Sequence, residues 1–154
     1  MPRPLDPSTV PVLVGTAYPP PFDIPCRNRR RERLGKAAGL TQFGVNRLTL
    51  SPGTWSSQRH WHTHEDELVM VLEGEVVLVS NAGEQPLKPG DVVGFPAGVP
   101  DAHHFQNRSA RDAILLEIGT DAEGVDCAEY PDIDLRYRPE GYLHRDGTPY
   151  PRQG

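Results

Sequence analysis

The sequence is poor in cysteine and has no long apolar run. Its 154 residues include two cysteines, Cys26 and Cys127, without a CxxC spacing. Neither a disulfide framework nor a thiolate zinc site is therefore supported, and a reducing environment is favoured. No apolar stretch has the length of a signal-peptide core or of a bilayer span. We therefore expect a cytoplasmic protein that does not contact membranes.

Positive charge is also scarce. The net charge is −5 and the isoelectric point is about 5.6, which gives no overall field for nucleic acid or an anionic membrane. Five arginines between positions 27 and 33 form one basic run. A solvated short helix or loop that continues toward Ala37 is favoured for this run over a phosphate or nucleic-acid contact. We expect a small molecule or a protein as partner, and no nucleic acid.

Hydrophobic residues make up only 36% of the chain, whereas 15 glycines and 17 prolines are present. This composition disfavours a helical bundle, and the length allows one domain. Between residues 43 and 119, β-branched and aliphatic runs recur between Gly, Pro and Asn turns, which predicts short antiparallel strands. The predicted strands are Phe43 to Leu50, Trp55 to His62, Glu67 to Leu72, Glu75 to Ser80, Gln85 to Leu87, Asp91 to Phe95, His103 to Asn107 and Asp112 to Ile118.

Eight short strands without intervening helices predict an all-β barrel or jelly roll with an interior pocket. Residues 43–119 would form this barrel. Residues 1–42 are predicted to be an arm that packs on it, because eight prolines by residue 25 leave room for an edge strand only near Val10 to Val14. Residues 120–154 show no persistent period and are predicted to be an extended tail packed over the barrel or a partner subunit, with a lid that contributes a Tyr or His144 to the site as the alternative.

Histidine is the informative residue type, since five of six histidines lie at positions 60, 62, 64, 103 and 104. His60 and His62 are two residues apart, so their side chains would share one face of a strand. Glu67 opens the next predicted strand and can point inward, and His103 is the better third histidine. His60, His62, Glu67 and His103 are therefore the predicted ligands of one divalent transition metal, Zn, Fe, Mn or Ni. Two open positions on such an ion would allow catalysis.

The other two clustered histidines are not predicted to be ligands. His64 extends the same period-two face, but it enters an acidic turn and is expected to be solvent-exposed or outside the ligand shell. His104 lies on the opposite strand face from His103, which argues against coordination. We expect it to face away from the pocket.

Two segments resemble the conserved motifs of the cupin superfamily. The first motif is carried by Gly53, His60, His62, Glu67 and Gly74, with one extra residue between Gly53 and His60. The second is carried by Gly90, Pro96, Gly98, His103 and Asn107. Here four residues, rather than two, separate Gly98 from His103, and Asp101 takes the usual histidine position. The spacing from His103 to Asn107 is kept, so the resemblance favours His103 over Asp101 as a ligand.

The resemblance implies a small single-domain, metal-binding cupin with a double-stranded β-helix (jelly-roll barrel) and extended terminal arms. Cupins include sugar-phosphate isomerases, lyases, dioxygenases and non-catalytic binding proteins. Isomerase or lyase chemistry on a small oxygen-rich molecule is slightly favoured on this analogy. The alternatives are an Fe-dependent dioxygenase and a binding module without turnover.

Two further expectations concern residues outside the motifs. Arg47, Gln58 and Arg59 could bind an anionic substrate, although each is a weak candidate. The apolar residues of the arm and the tail lack a periodic core face, so we expect them to pack on another surface and to help form a homodimer. These residues include Val12, Leu13, Phe22, Ile133, Leu135 and Tyr137.

Overall fold

The computed structural model describes residues 1–152, which contain thirteen β-strands and one short α-helix. The strands are β1 (Val12–Val14), β2 (Arg30–Glu32), β3 (Phe43–Leu50), β4 (Trp61–His62), β5 (Glu67–Glu73), β6 (Val76–Ser80), β7 (Gly83–Leu87), β8 (Val92–Phe95), β9 (His104–Gln106), β10 (Ala113–Thr120), β11 (Ala128–Tyr130), β12 (Leu135–Arg138) and β13 (Gly141–Leu143). The helix α1 spans Leu34–Ala37, and single 3₁₀ turns occupy Pro7–Thr9 and Ile24–Cys26. Within these residues, no helix has the length and apolar character needed to cross a membrane.

A six-stranded antiparallel sheet in the order β1-β2-β3-β10-β5-β8 packs against the three-stranded sheet β7-β6-β9. Alternation along the strands sends one set of side chains into the space between the sheets. On β3, for example, Leu48 and Leu50 are fully buried while the intervening Thr49 is not. Their partners in the core include Val71, Phe105 and Leu115. The architecture is the predicted all-β jelly-roll barrel.

Most of the predicted barrel strands are present with shifts of one or two residues at their ends. The strand predicted from Trp55 to His62 is wrong over most of its length, because only Trp61–His62 is a regular strand. Trp55 and His60 instead form isolated bridges to Gln106 and His103. The segment is a series of bends, yet it still crosses the barrel beside β9.

The prediction of a solvated helix or loop for the arginine run is wrong for its central residues. Arg30–Glu32 forms strand β2, which pairs with β3 and thereby joins the large sheet. The helix begins only at Leu34. Strand β1 (Val12–Val14) lies at the predicted edge position and pairs with β2.

The tail is the region whose secondary structure differs most from the prediction. Its three strands β11, β12 and β13 form a second antiparallel sheet that is completed by β4 of the barrel. The tail residues Leu135 and Tyr130 are buried there against Tyr18 and Cys26 of the arm. Ile133, Tyr137 and Phe22 pack against the same cluster. Leu135, Ile133 and Tyr137 of the tail are thus covered within one chain, whereas Val12 and Leu13 of the arm remain exposed.

Candidate metal centre

The HxH pair lies where the bent segment before β4 crosses the barrel. His60 is held against His103 by a backbone bridge in which His103 N–H donates to His60 O at 2.9 Å. His62 belongs to β4. As the spacing of two predicted, both rings point the same way, and their Nε2 atoms lie 3.1 Å apart. The pair is therefore assembled by backbone pairing rather than by side-chain contacts alone.

Hydrogen bonds to the far side of each ring define which nitrogen carries hydrogen. His60 Nδ1 lies 2.8 Å from the carbonyl oxygen of Gln58, which can only accept, so Nδ1–H is the donor. His62 Nδ1 lies 2.7 Å from the carboxylate Oδ2 of Asp126 and donates in the same way. In the neutral rings the two Nε2 atoms then present lone pairs to each other. A shared cation is the natural occupant of the space they face.

Glu67 and His103 complete the set of four predicted ligands. His60, His62 and Glu67 each offer a ligand atom within 4.8 Å of the others, and Glu67 Oε2 lies 3.9 Å from His62 Nε2. His103 Nε2 lies 3.2 Å from the same carboxylate oxygen, and its ring centre is 5.3 Å from that of His60. The structure thus brings together all four predicted residues, with His103 adjoining the other three through Glu67.

The protonation of the site suits a cation. Burial lowers the pKa of His60 to about 3, so this imidazole is neutral and able to coordinate at ordinary pH. Burial acts to raise the pKa of Glu67, but the hydrogen bond and charge of His103, together with the neighbouring histidines, outweigh it and lower that pKa to about 2. A neutral imidazole and an ionised carboxylate are the forms that bind metal.

The donor set fits a divalent transition metal. Imidazole nitrogens together with one carboxylate suit zinc, iron, manganese or nickel. A cation fits between the Nε2 atoms of His60 and His62 because their lone pairs face each other and repel when no positive charge lies between them. The residues present therefore fit the metal that the motifs imply.

Sequence reasoning missed Asp126, which is 5% exposed and holds the far side of His62. Its second oxygen accepts a hydrogen bond from His64 N–H at 2.9 Å, so the carboxylate is fixed at both ends. Glu65 lies near the same ring, with Oε2 3.9 Å from His62 Nδ1. A carboxylate behind a ligating histidine fixes the ring's orientation and makes it more basic. Asp126 follows the motifs by many residues and carries no local spacing signal.

Aromatic rings pack on the other histidines. Tyr130 of the tail lies parallel to His60, with ring centres 5.4 Å apart. Phe95 of β8 stacks on His103 at 3.4 Å. These contacts limit the rotation of both imidazoles, so the metal-facing nitrogens are held by neighbours from the tail as well as from the barrel.

The two histidines excluded from the predicted ligand set lie in different surroundings. His64 is exposed, and its Nδ1 lies 2.6 Å from Thr63 Oγ1. His104 is buried and borders the cavity, but it pairs with Val79 while the next residue, Phe105, pairs with the core residue Leu78. Its side chain therefore lies on the strand face away from the barrel core, as expected. Its Nδ1 donates to the carbonyl oxygen of Ser57 at 2.8 Å, and its Nε2 lies 3.0 Å from Gln106 Nε2. Both ring nitrogens are therefore already bonded within the protein.

The three weak candidates for anion binding are engaged in structural contacts. Arg47 pairs with Glu32 on the neighbouring strand, at 2.6 Å. Arg59 pairs with Asp132 of the tail at 2.8 Å. Gln58 donates to the carbonyl oxygen of Phe22, also at 2.8 Å. None of the three lines the cavity described next.

Asp101, the alternative to His103 in the second motif, is exposed, and its carboxylate accepts from Asn81 N–H. The insertion in that motif thus leaves His103 at the site. Asn107, the last residue of the motif, is 1% exposed and donates to the carbonyl oxygens of Leu50 and Arg111. Its role in this chain is to tie the strand end to its neighbours.

A cavity of about 280 Å³ opens at the candidate metal centre. Its polar lining includes residues of the barrel wall and of the arm. They are Thr16, Tyr18, Arg29, Arg31, Asn46, Ser56, Ser57, Glu65, Asp66, Glu117, Thr120 and Tyr142, in addition to the histidines and Glu67. Hydroxyl, amide and charged groups dominate this lining, which suits a hydrophilic small molecule rather than an apolar one.

Comparison with known proteins identifies relatives of this arrangement. The cupin domain family matches residues 46–119. A sugar phosphate isomerase of the cupin superfamily from Silicibacter pomeroyi is 40% identical, with a TM-score of 0.89 over 99% of this chain and 100% of that chain. A candidate sugar phosphate isomerase from Acidithiobacillus ferrooxidans is 32% identical, with a TM-score of 0.72 over 82% of each chain. A search of curated protein sequences finds no match.

A third solved structure, a cupin 2 conserved barrel domain protein from Salinispora arenicola, is 26% identical, with a TM-score of 0.55 over 79% of this chain and 89% of that one. The first of these relatives is similar over the arm, the barrel and the tail alike. The chain belongs to the cupin superfamily.

Proposed function

We propose that this cupin is a metal-dependent isomerase of a small, oxygen-rich molecule of the sugar-phosphate class. The observation that carries the proposal is the convergence of His60, His62, Glu67 and His103 at one end of a polar cavity. The similarity to the Silicibacter pomeroyi sugar phosphate isomerase over nearly the whole chain supports the reaction class. The smaller similarity to the Acidithiobacillus ferrooxidans protein points the same way.

The residues divide the work of such a reaction between them. His60, His62, Glu67 and His103 would hold the divalent ion, which supplies the positive charge that polarises a substrate carbonyl when it is bound. Isomerisation between an aldehyde and a ketone moves a proton between neighbouring carbons. The carboxylate of Glu65 lines the cavity outside the ligand set and is available to accept that proton.

The test begins with the metal content of the purified protein, measured by mass spectrometry. The metal-loaded protein is then incubated with a panel of aldose and ketose phosphates in deuterium oxide, with the His62→Ala variant as control. We expect interconversion and deuterium incorporation beside the carbonyl carbon for the wild type, and neither for the variant. Metal-dependent sugar-phosphate binding without interconversion would instead establish a binding module. Oxygen consumption with Fe(II) would establish a dioxygenase.

We also propose that two copies pair through the edge strand β1. All three residues of β1 are exposed, from 41% for Val12 to 70% for Val14. This strand ends the six-stranded sheet, so its outer backbone groups have no strand partner in this chain over the described residues. Antiparallel pairing with β1 of a second copy would cover both the backbone edge and the valines, and a twofold interface closes on itself.

Light scattering at micromolar concentration tests the pairing. The wild type should have the mass of a dimer, and Val14→Asp on the edge should give a monomer. Val92→Asp, at an exposed valine of β8 at the opposite end of the same sheet, should leave the dimer intact. A monomeric wild type, or a dimer that survives the Val14 substitution, would contradict this interface.

A further inference from the structure

The arginine run of the arm places one guanidinium inside the cavity. In β2, Arg31 pairs with Leu48 of β3, a fully buried core residue, so its side chain is on the inner face of the sheet. Its neighbour Arg30 pairs with Thr49 and lies on the outer face. The side chain of Arg31 is 27% exposed and that of Arg30 is 47% exposed. Strand alternation thus gives two adjacent arginines opposite surroundings.

A carboxylate lies beside Arg31 on the same inner face. Glu117 of β10 pairs in register with Asn46 of β3, and both line the cavity with Arg31. Glu117 is also close to Glu67, because Gly119, two residues further along β10, pairs with Glu67 on β5. The inner face of the sheet, apolar at Leu48 and elsewhere, is therefore polar at the end that meets the candidate metal centre.

The pair formed by Arg31 and Glu117 is incompletely satisfied. Arg31 Nε lies 3.3 Å from Glu117 Oε1, which is an ion-pair distance. Across the part of the chain that the structure describes, neither atom has a hydrogen-bond partner of acceptable geometry, although both are buried. Buried polar groups without partners are costly, and one left in a folded protein calls for an explanation. A ligand that bonds the rest of both groups and aligns them would provide it.

Arg29, the other arginine of the cavity wall, is not available to bind a ligand, because its guanidinium is already bonded within the protein. It is 8% exposed, and its Nη1 and Nε donate to the carbonyl oxygens of Ser56 and Gly15. These bonds fasten the arm to the barrel. Arg31 also lines two further pockets together with Arg33, and His62 lines one of them. Arg31 is therefore reached from open pockets that adjoin the candidate metal centre.

We propose that Arg31 binds the anionic group of the substrate and that Glu117 accepts a hydrogen bond from a hydroxyl beside it. This assignment rests on the proposed function and narrows it to a polyhydroxylated substrate with one terminal phosphate. A guanidinium matches a phosphate in two-point geometry, and a carboxylate is a strong acceptor for a sugar hydroxyl. The carbonyl end of the substrate would then face His60, His62 and Glu67, with the phosphate end toward the arm.

Calorimetric titration of the metal-loaded protein with inorganic phosphate, ribose 5-phosphate and ribose tests this assignment. We expect Arg31→Gln to weaken ribose 5-phosphate binding by about 10- to 100-fold, the loss of one charge-assisted contact. Arg31→Lys should restore part of the affinity. Arg30→Gln, one residue along the same strand, is the matched control and should bind as the wild type does. Metal content and melting temperature, measured for every variant, separate loss of the contact from loss of the fold.

Glu117→Gln should change phosphate binding differently from Arg31→Gln. Removing this negative charge should leave inorganic phosphate binding unchanged or tighter, while the preference for ribose 5-phosphate over inorganic phosphate should fall. Equal affinity of the wild type and Arg31→Gln for ribose 5-phosphate would overturn the assignment, as would wild-type binding of ribose equal to that of ribose 5-phosphate. Turnover of an unphosphorylated sugar unaffected by Arg31→Gln would leave the isomerase proposal standing alone. Phosphate binding that depends on Arg31 without any turnover would leave the anion site standing alone.

Discussion

The barrel between residues 43 and 119 and the segments that flank it contribute to the site in different ways. The barrel provides the four candidate ligands. His62 lies in β4 and Glu67 in β5, while His60 and His103 form an isolated bridge just before β4 and β9. The flanking segments provide the side chains behind and around those ligands, among them Asp126, Tyr130 and Arg31. The comparison teaches that the motifs specify the candidate metal ligands, whereas the arm and tail determine which groups surround those ligands.

Replacing a ligand should produce the largest effect. His62→Ala removes the imidazole whose Nε2 lies 3.1 Å from that of His60. The methyl group of alanine has no lone pair and cannot coordinate a metal in its place. We expect the purified variant to contain no stoichiometric metal and to have no metal-dependent activity, as measured by mass spectrometry and the isomerase assay. His64→Ala, two residues along the chain and exposed, should keep its metal. If the His64 variant loses its metal while His60→Ala keeps it, the ligand set is instead His62, His64, Glu67 and His103.

The second prediction tests whether the tail is a structural part of the molecule. Leu135 is fully buried in the cluster that joins the tail to the arm, whereas Leu115 is fully buried in the barrel core. Leu135→Ala should lower the free energy of unfolding by about 2–5 kcal/mol, close to the effect of Leu115→Ala, because each leaves a cavity. Urea denaturation measures both. A change of less than about 0.5 kcal/mol for Leu135→Ala would show that the tail is a loosely attached segment.

The same contrast explains how much of the fold could be predicted from the sequence. Strands β3, β5 and β10 are seven or eight residues long and contain aliphatic runs bounded by turn residues, so they can be recognised in the sequence. Strands β2, β11 and β13 are three residues long, which is too short to show a period. Their existence depends on partners distant in sequence, such as β4 for β11. Local patterns carry no record of such pairings.

The candidate site shows the same limit. His60, His62, Glu67 and His103 could be found because they follow strand periods and motif spacing. Asp126 could not, because its contact with His62 joins residues 64 positions apart and depends on the path of the tail. Strand β2 within the arginine run could not be predicted for a similar reason, because only its pairing with β3 places Arg31 on the inner face of the sheet.

Asp126→Asn examines the contribution of the tail to the metal centre without removing a ligand. The amide is nearly the same size but carries no charge, so it accepts the His62 Nδ1–H bond more weakly and makes the ring less basic. We expect the affinity for Zn(II) to fall about 10- to 100-fold, measured by competition with a chelator, with the melting temperature of the metal-free protein nearly unchanged. Asp121→Asn, in the same loop region but outside the contacts of His62, is the control. An unchanged zinc affinity would show that the barrel alone sets the strength of the site.

The smallest effect is expected at the surface ion pair that joins the tail to the barrel. Arg59 donates to both carboxylate oxygens of Asp132, at 2.8 Å each, and this hydrogen bonding lowers the pKa of Asp132 from its ordinary value of 3.8. Since the carboxyl group is more acidic in the folded state, the pair stabilises the protein above pH 3.8. That contribution is lost as the pH falls through the lowered pKa.

Asp132 is 55% exposed, so solvent screens the pair and Asp132→Asn should cost no more than about 1 kcal/mol at neutral pH. The difference in stability between the variant and the wild type should vanish below the folded-state pKa of Asp132, where residue 132 is uncharged in both proteins. It should also shrink in high salt. Urea denaturation at neutral and acidic pH measures this. A larger cost that persists in acid and in salt would mean that the carboxylate acts through packing, and that tail and barrel are joined more firmly at this contact than an exposed ion pair allows.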